Sequence, residues 1–195
     1  QCSPYNERYN KGTHKTCFSK SQLLNICKEK NIKCKKSSTK QELWNSINEI
    51  MLKENCSNGN EHCWLDEIGN VTNGTHRPKK PSSWNNDTHT WLTNFDLLNV
   101  MIQYEKRYTT FKFMGVFPMD FNTSNGFGGC ISKELCNIDI TKLKFSQFGL
   151  IFNLDDHDQP GSHWVCVYIN NKPGSTNFGF SYFDSNAQSM PHEIR

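Results

Sequence analysis

GSHWVCVYI at residues 161–169 is followed, after a polar stretch, by FSYFDS at residues 180–185. Both runs consist mainly of β-branched and aromatic residues, and the residues between them are almost all turn formers. If the chain folds back symmetrically about Pro173-Gly174, His163 lies directly opposite Asp184. Directly opposed residues share one face of a sheet, with Cβ atoms about 4.5–5.5 Å apart. These stretches therefore predict a β-hairpin that sets a histidine beside an aspartate.

A histidine and an aspartate at this spacing have two interpretations. In the first, the carboxylate of Asp184 accepts a hydrogen bond from the imidazole of His163 and fixes its tautomer. That arrangement is the base and the orienting acid of a nucleophilic triad. In the second, the pair is structural, since interacting ionisable groups mark functional sites only in a fraction of cases.

Five segments carry a resemblance to a known family. They are, in chain order, WLTNFD at residues 91–96, PMDF at 118–121, FGLIFN at 148–153, GSHW at 161–164 and YFDS at 182–185. The set resembles the cysteine proteases related to adenovirus proteinase and the SUMO-deconjugating enzymes. Within them it is most similar to the polyprotein-processing branch of large cytoplasmic DNA viruses such as African swine fever virus. The likeness spans roughly residues 84–195, and its specificity lies in the order and spacing of the segments.

The resemblance implies a fold and a site. The fold is α+β, with an antiparallel or mixed central sheet and flanking helices, as in an incomplete adenovirus proteinase. His163 and Asp184 are catalytic, and Trp164 packs beside the histidine and lines the substrate groove. The implied activity is a thiol protease of the virion and of the viral factory in the host cytoplasm. Its implied substrates are capsid or core precursors, or a viral polyprotein, cleaved at Gly-Gly-type sites.

The chain departs from the family at the nucleophile. In these enzymes a cysteine follows the Asp or Asn by several tens of residues, after a glutamine of the oxyanion hole, and this sequence ends at Arg195 with neither. Cys166 lies three positions from His163 on one strand, so the two side chains point to opposite faces. We therefore expect the nucleophile beyond Arg195, and we expect the 195-residue chain alone to be inactive.

Two other functions stay open beside the protease. The chain could be a virion structural or docking protein that keeps the protease fold without its chemistry. A deconjugase for a ubiquitin-like modifier would use the same catalytic group.

Composition is that of a globular protein. The 195 residues are 35% hydrophobic and 12% aromatic, which is enough for one moderate core and a small accessory unit. No apolar run approaches the roughly 20 residues of a membrane-spanning helix. The net charge of +3 is too small to indicate nucleic-acid binding by itself.

The N-terminal third is predicted to be a separate unit. Residues 1–65 form a helix-loop-helix accessory unit, residues 66–83 a linker, and residues 84–195 the N-terminal portion of the protease domain. The first helix opens at Ser19 and the second near Thr39, each with apolar residues at helical spacing. The pattern is similar to SAP and LEM-like folds, some of which bind DNA. We favour an accessory role, because a lysine-rich loop is usually only solvated.

Nine cysteines are present, and their spacings lack the C-x2-C knuckles of a zinc site. We therefore predict no metal and no cofactor. Disulfides are expected if the protein resides in a virion, and free thiols if it stays in a cytosolic factory.

Residues 84–195 show the pattern of an α+β domain. A helix capped by Thr90 or Thr93 precedes a strand at residues 111–117, which Pro118 ends. Three further strands, at roughly 146–154, 163–170 and 178–184, are expected to form the antiparallel part of the sheet.

Overall fold

A computed structural model describes residues 2–4, 6, 16–68, 76–79, 84 and 89–195 of the chain. The chain divides into two compact units, Gln1–Lys79 and Lys80–Arg195. The division falls inside the stretch 66–83 that the sequence analysis assigns to a linker. None of the helices in the described ranges is long and apolar enough to cross a membrane.

The first unit contains three helices, α1 (Lys20–Glu29), α2 (Lys40–Lys53) and α3 (Glu61–Ile68). Ser19 and Thr39 each cap a helix through a complete capping box, in which the cap side chain and the third helical residue exchange hydrogen bonds. Both predicted helix starts are confirmed. A capping box is a local signal, which is why the sequence alone locates these two N-termini.

Helix α3 is not anticipated by the sequence analysis, and it continues three residues into the predicted linker. Its N-terminus lacks a capping box, although the Asn60 side-chain oxygen accepts a bond from the Cys63 N–H at 3.3 Å. Trp64 on this helix is fully buried. Tertiary packing around one large side chain therefore defines α3 more than its local sequence does.

The core of the first unit is formed by side chains from all three helices and from the segment before α1. Its fully buried members are Phe18, Leu23, Ile26, Leu43, Ile47, Met51 and Trp64. Trp64 packs between Phe18 and Trp44, with ring centroids 6.0 and 5.3 Å away.

Four disulfides join eight of the nine cysteines. The pairs are Cys2–Cys17, Cys27–Cys34, Cys56–Cys63 and Cys130–Cys136. Three of them lie in the first unit, where each closes a short loop and stabilises the fold by about 2–4 kcal/mol in the usual range. The sequence left open whether the cysteines form disulfides or remain free thiols, and in the structure eight of them form disulfides.

The second unit contains α4 (Asn94–Arg107), β1 (Phe111–Phe117), β2 (Gln147–Asn153), β3 (Trp164–Asn170) and β4 (Gly179–Phe183). The strands form one sheet in the order β1-β2-β3-β4. β1 pairs with β2 in parallel, and the other two pairs are antiparallel. The α+β class with a mixed sheet is confirmed, and Thr93 is the helix cap.

The two faces of this sheet differ in burial. On one face Phe148, Leu150 and Phe152 pair with Ile169, Val167 and Val165 to form the core of the unit. The other face carries Trp164, Cys166 and Tyr168, which are only half-buried, and Phe183, which is 64% exposed. Apolar burial on this second face is confined to the β1 side, where Phe111 and Phe113 are buried beside Gly149.

Candidate functional site

His163 and Asp184 meet at one end of the sheet. His163 immediately precedes β3, and Asp184 immediately follows β4. The Nε2 atom of His163 lies 2.6 Å from Oδ1 of Asp184, within hydrogen-bonding distance. The contact that the hairpin predicts is therefore present in the folded chain.

The predicted hairpin register is wrong by two residues. Asn170 pairs with Gly179, so the strands do not fold back symmetrically about Pro173-Gly174, and His163 is not directly opposite Asp184. The cause is the loop, which holds two successive backbone-bonded turns instead of one central turn. Because a shift of two residues keeps every side chain on its face, the histidine and the aspartate still meet, as diagonal neighbours.

The carboxylate of Asp184 is enclosed. Its side chain is only 1% exposed, and Oδ1 also accepts a hydrogen bond from the Asn186 N–H at 2.8 Å. The hydrogen bond from His163, followed by the one from the Asn186 backbone, lowers the pKa of this carboxyl. Asp184 is therefore ionised at neutral pH and can stabilise a positive charge on the ring of His163.

The imidazole of His163 keeps one nitrogen available. Nε2 is engaged by Asp184, whereas Nδ1 has no hydrogen-bond partner among the described residues. The side chain is 23% exposed, so a reacting group can approach it. If Nε2 carries the proton that Asp184 accepts, Nδ1 presents a lone pair and can act as a base.

A groove of about 680 Å³ lies next to the segment that contains His163, although His163 itself is not among the residues that line it. It is lined by residues 91–95, by Phe117 and Pro118 at the end of β1, and by residues from 153 to 164. Both chain neighbours of His163, Ser162 and Trp164, belong to the lining. Trp164 lines this groove, and its role at a substrate site stays a prediction.

None of the nine cysteines is placed to serve as a nucleophile for His163. Eight are in disulfides, and the remaining one, Cys166, is half-buried in β3. It lies three positions after His163, on the opposite face of the strand. Burial raises the pKa of the Cys166 thiol, so it is held in its less reactive protonated form.

One cluster of the first unit has the donor types of a metal site. Among the described residues, Cys17, Glu61 and His76 bring a sulfur, an oxygen and a nitrogen close together, all of them buried. The sulfur of Cys17 is bonded to Cys2, and Nε2 of His76 already lies 2.8 Å from Oε2 of Glu61. A disulfide sulfur is not a thiolate ligand, so the cluster acts as a buried ion-pair network.

The sequence did not predict a second histidine–carboxylate contact, which lies near the groove. Nδ1 of His157 lies 2.6 Å from Oδ2 of Asp120, and the hydrogen bond to Asp120 raises the pKa of His157. The two residues are 37 positions apart, and only the folded chain brings them together. The single available signal is that Asp120 belongs to one of the five segments that carry the family resemblance.

The chain is similar to a protein of Acanthamoeba polyphaga mimivirus that is named a putative thiol protease. The two are 28% identical over 220 aligned positions, which include 96% of this chain and 66% of that protein. The chain thus spans just under two thirds of the length of this relative. No protein-family model matches the chain, and no solved structure matches it.

Proposed function

We propose that this chain is the part of a giant-virus thiol protease that carries the histidine and the orienting aspartate. One observation carries the proposal: His163 is held by Asp184 at 2.6 Å, while its side chain stays 23% exposed. The similarity to the mimivirus protein supports it, because the alignment covers nearly the whole chain.

We further propose that the nucleophilic cysteine lies in a segment that follows residue 195. The state of the nine cysteines supports this, since eight are in disulfides and the ninth is on the wrong face of β3.

In the proposed mechanism, Nδ1 of His163 takes the proton of the cysteine thiol, and Asp184 stabilises the resulting imidazolium through Nε2–H. The thiolate attacks the scissile carbonyl carbon and forms a tetrahedral intermediate. When the C–N bond breaks, Nδ1 returns the proton to the leaving amine and a thioester remains. Nδ1 then removes a proton from water, which attacks the thioester and releases the carboxylate product and the thiol.

The proposed substrates are viral capsid or core precursors with Gly-Gly-type cleavage sites. A groove bounded by the Trp164 ring favours residues without side chains next to the scissile bond. The four disulfides support function in a virion, because they persist in particles that are exposed to an oxidising environment.

A peptide probe with a thiol-reactive group tests the proposal in the complete protein. We expect labelling of one cysteine outside residues 1–195 and cleavage of a core precursor in preference to a SUMO fusion. Preferential cleavage of the fusion would select the deconjugase instead. A label on Cys166 would overturn the assignment of the nucleophile.

A non-catalytic docking protein is the second candidate, and the absence of a suitably placed thiol among the nine cysteines favours it. It predicts neither labelling nor cleavage by the complete protein. The two candidates therefore give opposite results in one assay.

A further inference from the structure

Residues 154–163, which we call the His163 loop, join β2 to β3 and end at the proposed catalytic base. Seven of the residues that line the groove belong to this loop. A loop of this length has many conformations when it is unrestrained, and each would place His163 differently. The interactions that fix the loop therefore influence the position of His163.

The two ends of the His163 loop are locked to each other. The Leu154 N–H donates to the carbonyl of His163 at 2.9 Å. The Asn153 side-chain oxygen accepts from the N–H groups of Asp155 and Ser162, and the Ser162 hydroxyl donates to the Asp155 carboxylate. Movement of Asp155 is thus transmitted to Ser162, the residue before His163.

The local backbone requires glycine at one position of this network. Gly161 has a φ of +92°, in the left-handed region, and a Cβ there would lie 2.6 Å from Nδ2 of Asn153. The close approach lets the chain turn into Ser162 while the Asn153 side chain stays in place.

The middle of the His163 loop is attached to the turn that follows β1. The Asp120 carboxylate accepts two hydrogen bonds from His157, one from ring Nδ1 at 2.6 Å and one from the backbone N–H at 3.0 Å. The Met119 N–H donates to the Asp155 carbonyl at 3.0 Å. The turn is itself fixed to the core, because the Phe121 ring packs on Phe152 with centroids 5.2 Å apart.

We propose that Asp120 is a positioning residue, which fixes the His163 loop and through it the orientation of His163 and Trp164. The role rests on the proposed function. Its physical basis is that a displacement of about 1 Å at a reacting group can cost about 100-fold in rate, so a base at the end of a loop needs a rigid support.

Asp120 is a better probe than its partner His157. His157 lines the groove, so a change there would alter substrate binding as well as the loop. Asp120 does not line the groove, and its side chain is 16% exposed. Loss of Asp120 should therefore lower kcat without removing a side chain of the groove.

The first test uses the complete protein and does not depend on activity. In Asp120→Ala, we expect backbone amides of the His163 loop to exchange with solvent about tenfold faster or more. We also expect the ring nitrogen signals of His163 to shift in NMR spectra. The matched control is Asp139→Ala, because Asp139 also accepts two hydrogen bonds from one residue, the N–H and the hydroxyl of Thr141, and it lies outside the loop. Unchanged exchange and unchanged His163 signals would overturn the proposal.

The second test measures peptide cleavage by the complete protein. Asp120→Ala should lower kcat about 10- to 100-fold, and it should raise KM less than His157→Ala does, because only the latter removes a side chain of the groove. Asp120→Asn should recover much of the rate, because its side-chain oxygen still accepts the His157 N–H. His157→Ala removes the same link from an exposed side chain, which provides a second variant if Asp120→Ala folds poorly.

The outcomes separate this proposal from the proposed function. If the unmodified protein cleaves nothing, the protease assignment fails, and the NMR test still decides whether Asp120 orients His163. If the unmodified protein cleaves and Asp120→Ala cleaves equally fast, the positioning role alone is wrong.

Discussion

Each unit of this protein contains a buried carboxylate bonded to a histidine, and the two pairs differ in what surrounds them. In the first unit Nε2 of His76 lies 2.8 Å from Glu61, and the two side chains are 1% and 8% exposed. In the second, Nε2 of His163 lies 2.6 Å from Asp184, and the histidine is 23% exposed. The distances are nearly equal, so distance does not separate a structural pair from a catalytic one.

The two pairs differ in the number of hydrogen bonds that the carboxylate accepts and in the solvent exposure of the histidine. Besides His76, Glu61 accepts hydrogen bonds from the N–H of Cys17 and from the indole of Trp44, so it ties helix α3 to α2 and to the segment before α1. Asp184 binds His163 and the backbone N–H of Asn186, and its Oδ2 is buried without a hydrogen-bond partner among the described residues. A carboxylate that joins several elements is expected to serve stability, whereas one that holds an accessible imidazole is suited to the catalytic role proposed for Asp184.

The largest expected difference between the pairs is in activity. His163→Ala in the complete protein should lower kcat/KM about 10³- to 10⁴-fold, since the thiolate loses its counter-cation and the leaving amine loses its acid. His76→Ala should leave the rate within a few-fold and lower the thermal stability of the first unit. Steady-state cleavage assays and thermal unfolding would measure both. Comparable losses of activity in the two variants would mean that the two pairs do not differ in the way proposed.

For stability we expect the reverse order, with the larger effect at the Glu61–His76 pair. Glu61→Ala should destabilise the first unit by about 3–5 kcal/mol, because it leaves a buried histidine, an indole N–H and a backbone N–H without their acceptor. The measurement is chemical denaturation followed by tryptophan fluorescence, and Glu54→Ala is a control because Glu54 makes only a partly exposed salt bridge with Lys30. If Glu61→Ala lowered the free energy of unfolding by less than about 1 kcal/mol, the network would not contribute appreciably to stability.

A smaller effect on the rate is expected from Asp184→Asn. The amide oxygen still accepts the Nε2–H of His163, but without a negative charge it stabilises the imidazolium less. We expect a loss of about 10- to 100-fold in kcat, and a larger loss for Asp184→Ala, which removes the acceptor. If the Asn variant lost as much as the Ala variant, the charge of Asp184 would be the only contribution that matters.

The sequence predicted what local patterns determine. Cap residues and helical spacing located α1, α2 and α4, with the cap of α4 left open between Thr90 and Thr93. Strand periodicity located the sheet, and alternation along β3 and β4 placed His163 and Asp184 on one face. It did not predict the hairpin register, because turn formers were spread over the whole loop. It also missed α3, the disulfide pairing and the contact of Asp120 with His157, each of which depends on tertiary packing between distant residues.

The smallest expected effect is a loss of thermal stability at low pH, which both units should show. The pKa of Glu61 is lowered because, although burial raises it, hydrogen bonds from His76, Thr16, Cys17 and Trp44 outweigh the burial. The pKa of Asp184 is lowered by His163 and by the Asn186 N–H. A carboxyl with a depressed pKa stabilises the fold above its unfolded pKa, near 4, and that contribution is lost as the pH falls through the folded value. Both units should therefore lose thermal stability as the pH falls below about 4.

Two variants assign this acid dependence to the two pairs. Glu61→Gln should flatten the acid dependence of the melting temperature of the first unit, and Asp184→Asn should flatten that of the second, with each variant leaving the other unit unchanged. The measurement is the melting temperature of each unit between pH 2 and pH 6 by calorimetry, a range of about two units on either side of the unfolded value. Because Glu61 bonds to three elements and Asp184 bonds only within one end of the sheet, the first unit should show the steeper loss. An equal slope in the two units would mean that the number of hydrogen bonds on each carboxylate does not decide its contribution to stability.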